Sequence, residues 1–223
     1  MVSFFWLYMV SGHPDPWFTL CQVKKETRRG YRLKERAQQQ AETRRRIVEA
    51  VVALHEEVGP ARTTVVEIAD RAQVSRPTVY THFPDERLLM TACSQHWLLA
   101  NPRPDTAAWK QIADPRTRVR VALEQLYSYY APRERMLSNV LRDSELIPSL
   151  SEALQNTIGS YLQGAAETLA KGWDNRQRAR REKLAVLKLA LHFHTWQTLT
   201  GSGGLTNGEA AELMARLVAE SLG

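Results

Sequence analysis

Thr63 to Leu89 reads TTVVEIADRAQVSRPTVYTHFPDERLL, and nearly every position in it has a separate physical job. Thr64 followed three residues later by Glu67 is a capping box, which starts a short helix with Ile68, Ala69 and Ala72 on one face. Gln73, Val74 and Ser75 then break the pattern. Ser75 is an N-cap for a second short helix running to about Phe83, with Pro77 in its first turn, where a missing amide hydrogen does no harm. Two helices joined by so tight a turn must cross steeply, which needs a small residue at the contact. Ala69 supplies it, and Val74 and Val79 are placed to close a miniature core with Ile68 and Ala72.

The outward face of the second helix then carries Arg76, Thr78, Tyr80, Thr81 and His82, all able to donate hydrogen bonds to phosphates, and some to base edges. The expectation is a helix-turn-helix whose second helix enters a major groove. A bland alternative is a helix pair in an ordinary all-helical protein, with Tyr80 and His82 merely half-buried. The combination of caps, turn, small residue and the run YTHF favours DNA binding over it.

These residues also carry a resemblance. TTVVEIADRAQVS and RPTVYTHFPDERLL, preceded by RRRIVEAVVALHEEVG, resemble the DNA-binding domain of the tetracycline-repressor (TetR) family of transcriptional regulators from about Thr43 to Ala92. The resemblance implies a first helix that braces the pair, a third that reads DNA, and a fourth that links this head to a ligand-binding body. It implies phosphate contact by Tyr80 and its neighbour His82, base or backbone contact by Arg76, Pro77, Thr78 and Thr81, and a phosphate touched by the cap Thr64. With the cap Ser75, Arg45 of the basic run and Arg87 after the turn, these make up the expected DNA-binding set. Two positions depart from the pattern. Gln73 stands where the family usually has a turn glycine, at a cost of about 1 kcal/mol if a left-handed backbone is kept, so a remodelled turn is expected. Glu86 stands where the family tends to place a phosphate-binding lysine, with Arg87 beside it.

The chain has 223 residues, enough for a small domain attached to a larger one, and a net charge of +6. Ten basic residues against three acidic ones between Lys24 and Arg46 give that run +7, and the rest of the chain −1. A basic run just ahead of a DNA-reading head can lie along phosphates with strong salt dependence, although charge runs are commonly solvated tails. The first 23 residues, MVSFFWLYMVSGHPDPWFTLCQV, are apolar without helical or strand periodicity, and are read neither as a signal peptide nor as a membrane anchor. Residues 1–40 are therefore expected to be a leader and basic extension, disordered or preceding the true start of translation. Cys21 and Cys93 are far apart without metal-ligand spacing, which fits a reducing compartment and, by default, the cytoplasm.

The remainder is expected to be all-α: residues 41–86 form the three-helix head and residues 87–223 a helical ligand-binding and dimerisation body. Helices are expected over Asp85–Ala100, from Pro115 to about Ala131, over Arg133–Arg142 and from Pro148 to about Trp173, with Asn101–Asp114 a loop holding at most a turn of helix. Gln177–Thr200 reads as one continuous helix and Asn207–Leu222 as the last, joined through Gly201, Ser202, Gly203 and Gly204. By resemblance the last two long helices pair across a homodimer, with Leu184, Leu187, Leu191, Thr195, Leu213 and Leu217 as the expected interface. A dimer also has a physical purpose, since two short recognition helices related by a two-fold axis read an inverted repeat. Trp97, Trp109, Tyr127, Tyr130, Met136, Leu141, Leu162 and Trp173 are candidate linings of an apolar pocket for a small effector, although for any one of them ordinary core packing is the default.

An enzyme, or a helical small-molecule-binding protein without a gene-regulatory role, is the rival reading. The sequence has no Gly-x-Ser-x-Gly, no phosphate-cradling glycine loop after a strand and no cysteine pair at zinc spacing. Asp143 and Glu145 have no neighbouring His, Ser or Lys in sequence to make a catalytic set. His192 and His194, two apart, cannot both face one metal from a regular helix. No catalytic residue, metal or cofactor is therefore expected. The expected function is sequence-specific regulation of transcription, in the manner of a repressor released by a small apolar ligand.

Overall fold

The structure is a computed structural model that describes residues 16–173 and 177–222, with side chains over 30–173 and 181–222. Among the described residues it is helical, without strands. The order is α1 (Pro16–Glu57), α2 (Val65–Ala72), α3 (Arg76–His82), α4 (Glu86–Ala100), α5 (Thr106–Lys110), α6 (Pro115–Tyr130), α7 (Glu134–Asp143), α8 (Pro148–Leu154), α9 (Ser160–Leu169), α10 (Gln177–Leu191), α11 (Phe193–Thr200) and α12 (Asn207–Leu222). Short 3-10 turns stand at Pro60–Arg62 and Ala131–Arg133.

Internal contacts divide the chain into two units, residues 1–45 and 46–223. In the first, residues 16–40 are helical where a disordered extension was expected, and Arg45 pairs with Glu42 at 2.6 Å. The rest of the leader, residues 1–15, lies outside the described residues.

In the second unit two cores form. The smaller joins the end of α1 to the helix pair: Ile47, Val51 and Leu54 pack with Ile68, Ala69, Ala72, Val79 and Phe83, and Leu89 and Cys93 of α4 close it. The larger fills the body, where α6 packs on α12 and α10 on α9 and α12. The apolar stripe expected on α6 is buried, with Val119, Leu123, Leu126 and Tyr130 at 4% exposure or less.

Within the second unit a short helix, α5, forms inside the expected loop over Asn101–Asp114, and two stretches expected as continuous helix are interrupted, each for a reason that lies far away in the chain. The stretch expected as one helix over Gln177–Thr200 breaks at His192, whose backbone is extended and whose ring Nδ1 accepts from His194 N–H at 3.3 Å to start α11. A break strands the preceding carbonyls, and here side chains take all three. Thr195 Oγ1 donates to Leu189 O, Tyr127 Oη to Ala190 O and Tyr130 Oη to Leu191 O, at 2.6, 2.9 and 2.8 Å. The second difference lies in the stretch from Pro148 to Leu169, where Gln155–Gly159 widens into a single π turn. Arg103 Nη1 donates to Thr157 O at 2.8 Å within that turn.

Candidate nucleic-acid interface and interior cavity

The helix-turn-helix is held by local bonds that consume most of its own polar groups. Thr64 Oγ1 accepts from Glu67 N–H at 3.3 Å and Glu67 Oε2 accepts from Thr64 N–H at 2.9 Å, a complete capping box. These bonds hold the Glu67 carboxyl below its ordinary value. Ser75 Oγ accepts from Thr78 N–H and lies 2.8 Å from Thr78 Oγ1, while Thr81 Oγ1 donates to Pro77 O at 2.9 Å. The turn keeps its left-handed backbone despite the missing glycine, with Gln73 at φ 53° and ψ 51°. The Gln73 side-chain amide donates to Asp70 O at 2.7 Å, so the side chain that strains the turn also ties it down. The remodelled turn expected from Gln73 does not occur.

Val79 turns inward at 2% exposure, which leaves Arg76, Pro77, Tyr80 and Thr81 on the outer face of α3, with Thr78 and His82 half-buried beside them. Tyr80 is 57% exposed, and neither it nor Arg76 has a hydrogen-bond or ion-pair partner among the described residues. A large aromatic and a guanidinium held free on a rigid short helix can reach phosphate and base edges without first breaking a bond. Arg87 is engaged differently: its Nε lies 3.6 Å from Glu152 Oε2 of α8, and neighbouring Glu86 accepts from Ser149 Oγ of the same helix at 2.9 Å. Glu86, at the family's lysine position, thus fastens the start of α4 to the body.

The end of α1 and the loop after it are tied to α7. Asn139 Nδ2 donates to His55 O and Glu56 O at 3.1 and 2.9 Å, and Arg135 Nη2 to Glu57 O at 2.9 Å. Asp143, 2% exposed, accepts from Ala61 N–H at 2.9 Å and pairs with Arg142 at 2.7 Å. Burial would raise the Asp143 carboxyl, but the Arg142 guanidinium and the Ala61 amide hold it below its ordinary value. Gly59, at φ 91°, lets the backbone approach this far, since a Cβ there would collide with both Arg142 and Asp143.

The adjoining face of α7 borders an apolar cavity. Met136, Leu137 and Val140 line it together with Met90, Cys93 and Trp97 of α4, Leu150 and Leu154 of α8, and Val52 and His55 of α1. Burial lowers the His55 imidazole to about 4, against a smaller opposing pull from Asp143, so it is neutral at pH 7. A second, aromatic compartment adjoins it, lined by Tyr129, Tyr130, Leu141, Tyr161, Leu162 and Phe193 among others. The free volumes are about 50 and 40 Å³, well below the several hundred Å³ of a typical ligand pocket, so this form is closed.

Of the pocket residues expected from sequence, Trp97 and Met136 line the first compartment and Tyr130, Leu141 and Leu162 the second. Trp109, Tyr127 and Trp173 line neither. They are core residues whose polar atoms are satisfied internally, Trp109 on Gln125, Tyr127 on Ala190 O and Trp173 on Leu169 O. His55, Met90 and Cys93, absent from that expectation, carry no Trp- or Tyr-sized ring to signal them. Of the expected interface residues, Leu187 and Leu191 are fully buried in the chain's own core. Leu184, Thr195 and Leu213 are half-buried and Leu217 is 44% exposed, while Leu189, unforeseen, is 60% exposed.

His192 and His194 stand closer than a regular helix allows, with ring centroids 5.4 Å apart, because His192 has left the helix. His192 Nδ1 is already an acceptor, and no group of three metal-ligating side chains occurs among the described residues. No described helix is long and apolar enough to cross a membrane.

Comparison with known proteins bears on both parts. Uncharacterised HTH-type transcriptional regulators of Mycobacterium tuberculosis and Mycobacterium bovis are each 46% identical over 52 residues, which is 23% of this chain and 28% of theirs. The match therefore spans little more than a quarter of those relatives. Over a longer range, a TetR-like transcriptional regulator from Rhodococcus sp. RHA1 has the same fold, with a TM-score of 0.58 at 19% identity, covering 80% of this chain and 94% of its own. A tetR-family regulator from Streptomyces coelicolor gives 0.54 at 18% identity, covering 81% and 79%. A protein from Saccharomonospora viridis, solved with choline, gives 0.51 at 21%, covering 81% and 95%. Residues 47–93, with the capping box, the left-handed turn and the exposed face of α3, match the bacterial regulatory proteins of the tetR family.

Proposed function

We propose that this chain is a cytoplasmic, DNA-binding regulator of transcription that acts as a homodimer on an inverted-repeat operator and is released from it by a small ligand. The observation that carries the reading is the free outer face of α3. Arg76 and Tyr80 are exposed and unbonded, on a helix whose other polar groups are spent on holding its geometry. Thr64, Ser75, Pro77, Thr78, Thr81 and His82 surround them, Arg87 trades Glu152 for phosphate, and Arg45 with the rest of the basic run adds salt-dependent affinity.

Dimerisation follows from what the body leaves outside. Leu189 on α10 and Leu217 on α12 are large, apolar and exposed on two helices that pack together, with Leu213 beside them. A second copy seated on this face places two α3 helices on one duplex. Light scattering at micromolar concentration reads a dimer mass, and a monomer mass refutes this element.

Effector release follows from the closed cavity. A ligand entering between α4, α7 and α8 must part Met90 from Leu150 and Ala153, which moves α4 and, through Asn139 and Asp143 on α7, the head. Such a ligand shifts the equilibrium only by its differential affinity for the opened form. The decisive experiment selects bound fragments from sheared genomic DNA at near-physiological salt, with an Arg76→Ala, Tyr80→Ala double variant as control. Enrichment of a short inverted repeat by the wild type alone is expected. Salt-sensitive binding without a motif, equal in the variant, refutes the reading and assigns the affinity to the basic extension.

A further inference from the structure

The interior cavity does not end at its aromatic compartment. Leu137 and Ile158 line both the apolar compartment and the aromatic one, so these two side chains form the partition between them. Arg103 and Tyr129 in turn line both the aromatic compartment and an open surface groove of about 590 Å³. Three spaces thus stand in series from solvent to the face of α4, each sharing two lining residues with the next.

The chemistry changes along that series. Polar side chains are few in the interior, and the tyrosine hydroxyls of the aromatic compartment are used up on main-chain carbonyls: Tyr129 on Asn101, Tyr130 on Leu191 and Tyr161 on Pro104. At the mouth stand two guanidiniums. Arg103 lies over the Tyr161 ring at 4.5 Å and Arg133 over the Tyr129 ring at 4.4 Å. Their hydrogen bonds go to neutral oxygens, Arg103 to Thr157 O and Arg133 to Asn101 Oδ1 and Tyr129 O, and neither has a carboxylate partner among the described residues. Aromatic stacking fixes both planes, and Glu124, the carboxylate that also lines the groove, is paired with Arg120 at 2.6 Å, so neither guanidinium has a direct counter-charge.

We propose that the effector is an amphipathic carboxylic acid: its carboxylate is bound at the groove by Arg103, with Arg133 beside it, and its apolar tail runs through the aromatic compartment, past Leu137 and Ile158, to Met90 of α4. This rests on the ligand-release reading above and deepens it by naming the class of ligand. A cationic ligand is disfavoured, because the protein's own arginines already cover the Tyr129 and Tyr161 ring faces and repel a second cation. Arg103 also bonds the π turn that carries Ile158, so capture of a carboxylate at the mouth and displacement of the partition act on one short segment.

The test uses the full chain and three probes of one tail length, decanoate, decanol and decyltrimethylammonium, each below its micelle concentration, followed by titration calorimetry. Decanoate binding at least about tenfold tighter than decanol, and the ammonium weakest, is expected from one charge-assisted contact. Arg103→Gln should bring decanoate down to the level of decanol and leave decanol unchanged, whereas Arg103→Lys should keep part of the preference. Because Arg103→Gln could also unsettle the π turn, unchanged decanol affinity is the control for folding. Equal binding of acid and alcohol, tighter binding of the ammonium, or full decanoate affinity in Arg103→Gln overturns the proposal. DNA binding is scored separately. Decanoate captured through Arg103 without any effect on DNA refutes the release reading and keeps the ligand class, and release by compounds other than acids does the reverse.

Discussion

The outer face of α3 and the interior between α4, α7 and α8 are built on opposite principles. On α3 the short polar side chains are spent locally, on caps and carbonyls within a few residues, and the large ones are left pointing at solvent. In the interior the large side chains are apolar and interlocked, and the polar bonds run to residues many tens of positions away, such as Asn139 to His55. One region is a preorganised surface that loses little on meeting a partner. The other is a closed space, and on the reading proposed above its opening must cost something for a ligand to have leverage.

That contrast can be broken by measurement. The largest effect should come from Arg76→Ala with Tyr80→Ala, which should weaken operator binding at least about a hundredfold while changing unfolding free energy by less than about 0.5 kcal/mol. A comparable loss of stability in a denaturant titration would mean that the face is packed and not held free. Met90→Ala should do the reverse, costing about 2–4 kcal/mol in denaturant unfolding while leaving α3 able to bind DNA in the folded fraction. An effect below about 1 kcal/mol would show that the interior already yields without cost.

A smaller and pH-dependent effect belongs to His55. Its imidazole is lowered to about 4 in the folded chain from its ordinary 6.5, chiefly by burial. The unfolded chain therefore binds more protons between those limits, and stability is fully present above about pH 6.5 and declines as pH falls towards 4, by up to about 1.4 kcal/mol per unit. His55→Leu should flatten the unfolding profile over that window, and an unaltered slope would place the dependence elsewhere. Asp143, whose carboxyl is held below its ordinary value, adds loss only at still lower pH. The smallest effect is Gln73→Gly. Glycine relieves the left-handed strain at φ 53° but loses the side-chain bond to Asp70 O, so a gain of no more than about 1 kcal/mol in thermal unfolding is expected.

The same division governs what could be read from the sequence. The capping box at Thr64 and Glu67, the cap at Ser75, the inward Val79 and the outward Tyr80 all depend on neighbours within four residues, and each stands where the spacing placed it. The final helix from Asn207 to Leu222 was likewise written in its own periodicity. The cavity was not legible in this way. Aromatic bulk pointed to Trp109, Tyr127 and Trp173, but bulk is what fills a core, and each has its polar atom satisfied inside it. The walls of the first compartment include His55, Met90 and Thr157, which come together only through the packing of α1, α4 and the π turn. The break at His192 was hidden for a related reason. The tyrosines that donate to its stranded carbonyls sit more than sixty positions earlier in the chain, so no local pattern records that the helix can stop there.

The bonds from α7 to the end of α1 bear on how portable the head is. Three backbone carbonyls, His55, Glu56 and Glu57, and the Ala61 amide find their partners on Asn139, Arg135 and Asp143. Excised at the boundary that sequence similarity draws, residues 47–93 would present those groups to water and lose the contact for which Gly59 was left bare. Grafting this reader onto a foreign body would therefore mean transplanting α7 with it, and exchange between relatives should travel as head plus that helix, not as the head alone.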